Sequence, residues 1–441
     1  MAICARIQAI MADKNAQKMN GDGEIKLRRV DPMLPGGFRD YGPTQAISRA
    51  QMLATIRTTF ELFGFDPMET SSIQRKDVLF GGEEESEKIV FEVKGSRESE
   101  SDTALRFDLT VPLARFMAVN SDIPKPFKRY QIGNVWRGES PQAGRYREFM
   151  QADIDVIGSN SMNADAEVIA TIYQTLTNLG INDFVIKINS RKILNSLPSY
   201  ADFPKEKLWD VLRIVDKKDK IGETVMQEEL LKEVGEEPTE KIQAFLNGNV
   251  AEDELSDLRA TLGTMGIDTE KIVIDYTIVR GLAYYTGMVL ETFLTKAPEI
   301  GSIASGGRYD ELVMPFIGQM LPAVGASIGV DRLFAALEKL GAVEKKATTT
   351  QVLVLNLSAE LAPECLEIVK QLRDAKVNTS FYVGDDTSFQ AQLAYAVKRE
   401  IPFVVMYGET EKTKGMVAVK NLATREQTEV RKEDVADFFK K

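Results

Sequence analysis

The 441-residue chain is too long for one ordinary hydrophobic core, and its composition, 44% hydrophobic and 27% charged, is that of a soluble globular protein with two or three domains. A net charge of −11 speaks against indiscriminate polyanion binding, and two cysteines, Cys4 and Cys365, fit neither a disulfide framework nor a zinc site, so a reducing cytoplasm is expected. The chain contains no histidine, which excludes a Ser-His-Asp triad, an HExxH metal site and any histidine general base.

Residues 1–33, with Arg6, Asp13, Lys14 and Lys18 in a weak apolar pattern, read as a frayed extension rather than a signal peptide. No apolar run approaches the roughly 18 residues of a transmembrane helix, so no membrane partner is expected. From Pro43 to Phe63 the residues Ile47, Leu53, Ile56, Phe60 and Phe63 recur at helical spacing, and Gly64 marks the stop. Short β-rich runs follow at Ile89 to Val93, Ala104 to Phe107, Tyr130 to Trp136 and Ile154 to Ile157; successive strands without helices between them predict an antiparallel sheet. Residues 192–263 turn densely charged and helical, a helical insertion that splits the catalytic unit spanning 34–340. Strand patterns return at Ile272 to Tyr276 and Met288 to Phe293. "GAVEKKATTTQ" then reads as a linker, and 351–441 alternates strand and helix, with helices near Pro363 to Ala375 and Phe389 to Lys398, as a small α/β domain does.

Neither GxxxxGK[ST] nor GxGxxG occurs, so a bound nucleotide must be held by side chains, and arginine suits phosphate because its planar fork donates in pairs. "KRYQIGNVWRGESPQAGRYREFMQADIDVIG" reads as a hairpin with Arg137, Arg145 and Arg147 around its loop; in isolation, solvated arginines are the plainer reading. "VRGLAYYTG" places Arg280 beside Tyr284 and Tyr285, of which only one need face a pocket if the run is extended. Gly306 and Gly307 of "GGRYD" allow close approach of backbone to a ligand, or simply a turn. In "LRFDLTVPLARF", Asp108 and Thr110 share a face if the segment is extended, and together could grip an ammonium group.

Taken in order, "GGFRDYGP", "FGFDPMET", "LRFDLTVPLARF", the long hairpin motif, "VRGLAYYTG", "GGRYDELV" and "GASIGVDRL" resemble the catalytic domain of histidyl-tRNA synthetases from Gly36 to Leu333, and the tail is similar to that family's anticodon-binding domain. The resemblance implies an α+β fold: a class II synthetase-like antiparallel sheet flanked by helices, with a helical insertion and a C-terminal α/β anticodon-binding domain. It implies a cytoplasmic homodimer that activates histidine with ATP and Mg2+ and loads it onto tRNA(His). By that resemblance Arg137 contacts the α-phosphate and the substrate carboxylate, and Arg280 stabilises the developing charge. Arg332 and Arg145 hold the distal phosphates, and Glu139 lies near the adenine or the tRNA end. Asp108, Thr110 and Gln151 hold the ammonium group, while Asp155 with Tyr284 or Tyr285 reads the imidazole and Gly306 lines its pocket.

The sequence departs from the family at Ala283, where an acid is usual, at Ser71, where a proline is, and at Met150 and Asn189, where relatives often carry histidine. Ala283 favours the rival reading, a non-catalytic histidine-sensing regulatory subunit of ATP phosphoribosyltransferase; the intact "GRYREF" loop and the C-terminal domain oppose it. A general nucleic-acid-binding module gains nothing, because 351–441 holds 13 Lys and Arg against 14 Asp and Glu.

Overall fold

The computed structural model describes residues 30–80, 89–96, 100–139, 146–248, 253–279 and 284–440. All but four residues of the expected N-terminal extension therefore lie outside the described residues, as do Arg145, Arg280 and Ala283.

Helix α1 (Pro43–Leu62) opens with proline in its first turn, where the missing N–H costs nothing, and it ends at Gly64, which turns the chain at φ +74°. Strands β1 (Asp66–Pro67), β2 (Ile73–Arg75), β3 (Glu92–Val93) and β4 (Thr103–Leu105) follow, then helix α2 (Thr110–Val119). Next come the ten-residue strands β5 (Phe127–Trp136) and β6 (Glu148–Ile157), helix α3 (Met162–Asn178) and strand β7 (Phe184–Ser190). Helices α4 (Arg191–Ala201), α5 (Leu208–Asp216), α6 (Glu223–Val234), α7 (Glu236–Leu246) and α8 (Asp253–Thr264) lead to β8 (Ile272–Ile274), β9 (Met288–Leu294), β10 (Ser302–Arg308), β11 (Ala323–Gly329) and helix α9 (Val330–Lys339).

Eight strands form one sheet in the order β1-β5-β6-β11-β10-β9-β7-β8. The expected antiparallel sheet is its interior, while both edge pairs, β1/β5 and β7/β8, are parallel. Strands β2, β4 and β3 make a separate small sheet, so the run expected at Ala104 does not join the main one.

The two-residue period of a strand gives the large sheet two different faces. Tyr130, Ala152, Ile154, Val156, Val324, Ala326, Ile328 and Leu290 pack into the main core with Met52, Ile56 and Phe60 of α1 and Ile169, Ile172 and Leu176 of α3. Their strand neighbours Arg129, Gln131, Gln151, Asp153, Asp155, Gly325, Ser327 and Glu291 point the other way. The register sets Arg129 opposite Asp155, Asp155 opposite Gly325, and Asp153 opposite Ser327. A polar face of this kind is affordable only where something other than packing uses it.

The C-terminal segment has its own apolar clusters, one around Val354, Ile368 and Val405 and another around Leu353, Leu355 and Ala396. Its five-stranded sheet, β13-β12-β14-β15-β16, runs through Thr379–Phe381, Val352–Val354, Phe403–Met406, Met416–Asn421 and Gln427–Arg431, with helices α10 (Ala362–Asp374) and α11 (Phe389–Lys398). The β12 pairs are parallel and the last two are antiparallel. No helix among the described residues is long and apolar enough to cross a membrane.

Candidate functional site

Two adjoining cavities open on the polar face of the sheet. The larger, about 280 Å³, is walled by Arg137 and Glu139 at the end of β5, Tyr146, Phe149 and Gln151 of the returning strand, Ser302 to Ser305 of β10, Ser327 and Gly329 of β11, and Asp331 and Arg332 of α9. The second, about 260 Å³, has Tyr284, Tyr285, Ile278, Val289, Leu290, Glu291 and Gly306 on its walls. Arg137, Ser302, Ser305 and Arg332 belong to both, so two guanidinium groups stand where the cavities meet.

Each arginine is steered by a backbone carbonyl. Arg137 Nε donates to Phe107 O at 3.1 Å, with its guanidinium 5.1 Å from the Phe149 ring centroid. Arg332 Nη1 donates to Ser302 O at 2.6 Å. The small sheet supplies the first of these anchors because Arg106, just after β4, donates to Asn134 O at 2.9 Å and Thr70 O at 2.7 Å, fastening the Phe107–Asp108 loop to β5. Asp331 closes the floor of the larger cavity. Its carboxylate receives Arg49 Nη1 at 2.9 Å, the Met150 amide at 2.6 Å and the Tyr41 hydroxyl.

The structure revises two local expectations. Asp108 and Thr110 do not share a strand face: Thr110 opens helix α2, and Asp108 Oδ1 accepts the Val111 amide at 3.1 Å, capping that helix in a loop. Neither residue is on the walls of these two cavities, though Asp108 lies within electrostatic reach of Arg137 and Tyr284. Tyr284 and Tyr285 both face the second cavity, their ring centroids 4.4 Å apart, because this segment is a turn and not a strand. Asp155 lies behind the cavity wall, 3% exposed, with its Oδ2 2.6 Å from Arg129 Nη2 and its Oδ1 accepting the Tyr309 hydroxyl.

Glycine makes that arrangement possible. A Cβ at Gly325 would lie 2.0 Å from Asp155 Oδ1, and one at Gly306 would lie 2.2 Å from Gly325 O, so neither position tolerates a side chain without displacement. Gln151, Glu139, Arg137, Arg332 and Gly306 stand on the cavity walls, whereas Arg145 and Arg280 are outside the described residues.

Burial dominates the electrostatics. It pushes the Asp153 carboxyl up to about 7 and that of Asp108 up to about 6, against the opposing pull of Arg129 and Arg137. Asp155 is raised for the same reason, with Arg129 and the Tyr309 hydrogen bond opposing the shift. The phenols of Tyr285 and Tyr309 are held well above their ordinary range by burial and the neighbouring acids, so both act as O–H groups. Asp153, Arg129 and Tyr309 were not singled out from the sequence. The alternation Gln151, Asp153, Asp155 in "QADIDV" was the available signal, since a two-residue period places all three on one face.

The family model described as histidyl-tRNA synthetase matches residues 37–333, and the anticodon binding domain model matches 351–441. A histidine–tRNA ligase of Wolinella succinogenes is 40% identical over 90% of this chain and 95% of its own length. That of Helicobacter hepaticus is 38% identical over 90% and 95%. A histidyl-tRNA synthetase crystal structure from a Nostoc species superposes with a TM-score of 0.84 at 34% identity, covering 93% of this chain and 99% of that one. With a two-cavity polar sheet face, a matching catalytic segment and a matching C-terminal segment on one chain, the protein belongs to the histidyl-tRNA synthetase family.

Proposed function

We propose that this chain is a histidine–tRNA ligase whose larger cavity takes ATP and whose second cavity takes histidine. The observation that carries the reading is the shared wall: Arg137 and Arg332 stand between the two spaces, where a substrate carboxylate and a nucleotide phosphate would meet. In the first step a carboxylate oxygen bonds to the α-phosphorus while the bond to pyrophosphate breaks, and the leaving group carries away the electron pair. Guanidinium groups suit this step because it demands alignment and charge neutralisation more than proton transfer. A chain without histidine can perform it. In the second step the 3′-terminal ribose hydroxyl of tRNA(His) attacks the activated carbonyl, the bond from that carbonyl to the phosphate oxygen breaks, and AMP leaves and takes up the hydroxyl proton.

Arg137 holds the carboxylate and α-phosphate, Arg332 and Arg145 the distal phosphates, and Arg280 the developing charge. Gln151, from the wall of the larger cavity, serves the ammonium group with Asp108 and Thr110, so that group would lie toward the junction of the two spaces. Asp155, with Tyr284 or Tyr285, serves the imidazole, whose two nitrogens need one acceptor and one donor. Glu139, on the wall of the larger cavity, lies near the adenine or the tRNA end, and Mg2+ would come with the ATP phosphates without a dedicated protein ligand. Such an ion supplies charge neutralisation at the phosphates. The unit 34–340 is the catalytic domain with 192–263 inserted, 351–441 reads the anticodon, and the enzyme works as a cytoplasmic homodimer. The regulatory-subunit alternative is disfavoured by the C-terminal anticodon-binding match.

The test is ATP–pyrophosphate exchange with each amino acid in turn. Exchange with histidine alone is expected; histidine binding without exchange would return the assignment to the regulatory subunit.

A further inference from the structure

The polar face of the sheet holds a cation that the proposed chemistry leaves without a task. Arg129 is 0% exposed, and its Nη2 lies 2.6 Å from Asp155 Oδ2 as an ion pair, with Oδ2 making no hydrogen bond among the described residues. Nη2 also lies 3.5 Å from Leu109 O, while Nε and Nη1 have no hydrogen-bond partner among the described residues. On β6, two residues from Asp155 and therefore on the same face, stands Asp153, 3% exposed, whose Oδ1 likewise lacks a partner. One guanidinium thus faces two buried carboxylates.

A pair kept only for stability would close upon itself, because open donors in a dry interior are costly and an apolar pair of similar volume would serve as well. Here the pair is open on one side and fixed on the other. Arg129 stands against one oxygen of Asp155 as an ion pair and the Tyr309 hydroxyl donates to the second, so the carboxylate is held from both sides. Each carboxylate oxygen has a further lone pair to offer. Tyr285, on the wall of the histidine cavity, lies in electrostatic contact with Asp155 and Asp153.

We propose that Arg129 is a positioning residue for amino-acid selection, locking the Asp155 carboxylate against Tyr309 so that it meets an imidazole N–H in one orientation, with Asp153 sharing the same positive charge. This rests on the reading of Asp155 as the imidazole contact. A lysine at 129 would preserve the charge but not the planar fork, and so would hold Asp155 less firmly. An uncharged residue would leave two buried acids without their counter-ion.

The test uses the full-length protein in histidine-dependent ATP–pyrophosphate exchange, reading the KM for histidine and the KM for ATP separately, with thermal midpoints alongside. Arg129→Met should raise the histidine KM by about 100-fold and leave the ATP KM within about twofold, Arg129→Lys should fall between it and the parent, and Asp153→Asn should show a smaller rise of the same kind. If Arg129→Met does not fold, Arg129→Lys decides: a histidine-specific rise in KM supports the proposal, and a parental histidine KM overturns it. Asp155→Asn separates the two layers of inference. If it activates histidine normally, the imidazole reading fails and this proposal with it; if it is impaired while both Arg129 variants keep a parental histidine KM, only this proposal fails.

Discussion

Arg49 and Asp331, 282 positions apart in sequence, meet in a buried ion pair with Nη1 and Oδ1 2.9 Å apart. Through it helix α1 is tied to the start of α9, and the same carboxylate also holds the Met150 amide and the Tyr41 hydroxyl. Replacing Asp331 by alanine would strand a buried guanidinium and a backbone donor, a loss of about 3–5 kcal/mol. Asp331→Ala should therefore lower the thermal midpoint by many degrees and weaken ATP binding, since the residue walls the larger cavity. A midpoint within a degree or two of the parent would show that the contact does not staple the fold.

Asp153 links stability to pH. Its folded carboxyl is raised from the ordinary 3.8 to about 7 by burial, so the native state holds that proton more tightly than the unfolded chain does. The stabilisation is complete below about 4 and is lost as pH climbs through about 7. Asp108, raised to about 6, contributes with the same sign. Asp153→Asn, a mimic of the protonated acid, should melt higher than the parent at pH 8 and lose most of that advantage at pH 5, a difference worth at least about 1 kcal/mol. Parallel melting curves at both pH values would count against a shifted Asp153.

The closeness of Gly325 to Asp155 makes a steric prediction. A methyl group there would sit 2.0 Å from Asp155 Oδ1, so Gly325→Ala must push the carboxylate aside. Overpacking of this kind costs about 1–3 kcal/mol in stability. A displacement near 1 Å would lower kcat/KM for histidine by about 100-fold. Exchange kinetics with saturating ATP would check it, and an unaltered kcat/KM would place Asp155 outside the selection machinery.

Arg332 should separate from the histidine pocket in its kinetics although it borders both cavities. Its guanidinium is pinned to Ser302 O, a geometry an ammonium group cannot reproduce while also meeting a phosphate in a fork. Arg332→Lys is expected to raise the KM for ATP by about tenfold and to leave the KM for histidine close to parental. The reverse pattern would exchange the roles given to the two cavities.

Where elements are set by local chemistry, sequence reading came close. The helix expected from Pro43 to Phe63 runs from Pro43 to Leu62, and Ser388 caps the helix expected near Phe389 to Lys398 at those residues, its hydroxyl accepting the Ala391 amide at 3.3 Å. The shared face of Asp108 and Thr110 holds only for an extended segment, and Pro112, favourable in a helix's first turn, marks a helix start there instead; the strand-forming Thr and Val around it conceal the signal. The antiparallel strands Met416–Asn421 and Gln427–Arg431 were not anticipated. Their turn carries Arg425 at φ +64°, a conformation that no glycine announces.

Of the candidate site residues, those flanking the hairpin loop and those beside Gly306 could be named from their motifs. The acid-bearing layer could be seen only in part. Asp155 was named without its partners, because Arg129 comes from the neighbouring strand and Tyr309 from beyond β10, and a distance between them exists only once the sheet is assembled.

The sequence alone determined the exclusions and the family: a chain with no histidine cannot use one as a base, and seven motifs in fixed order leave little freedom for another fold. Tertiary structure decided which charges are buried, which carboxylates share a guanidinium, and which arginines border both cavities. The reason is physical. Composition and periodicity are properties of neighbours along the chain, whereas desolvation and ion pairing depend on groups brought within a few ångströms from strands and helices up to hundreds of residues apart.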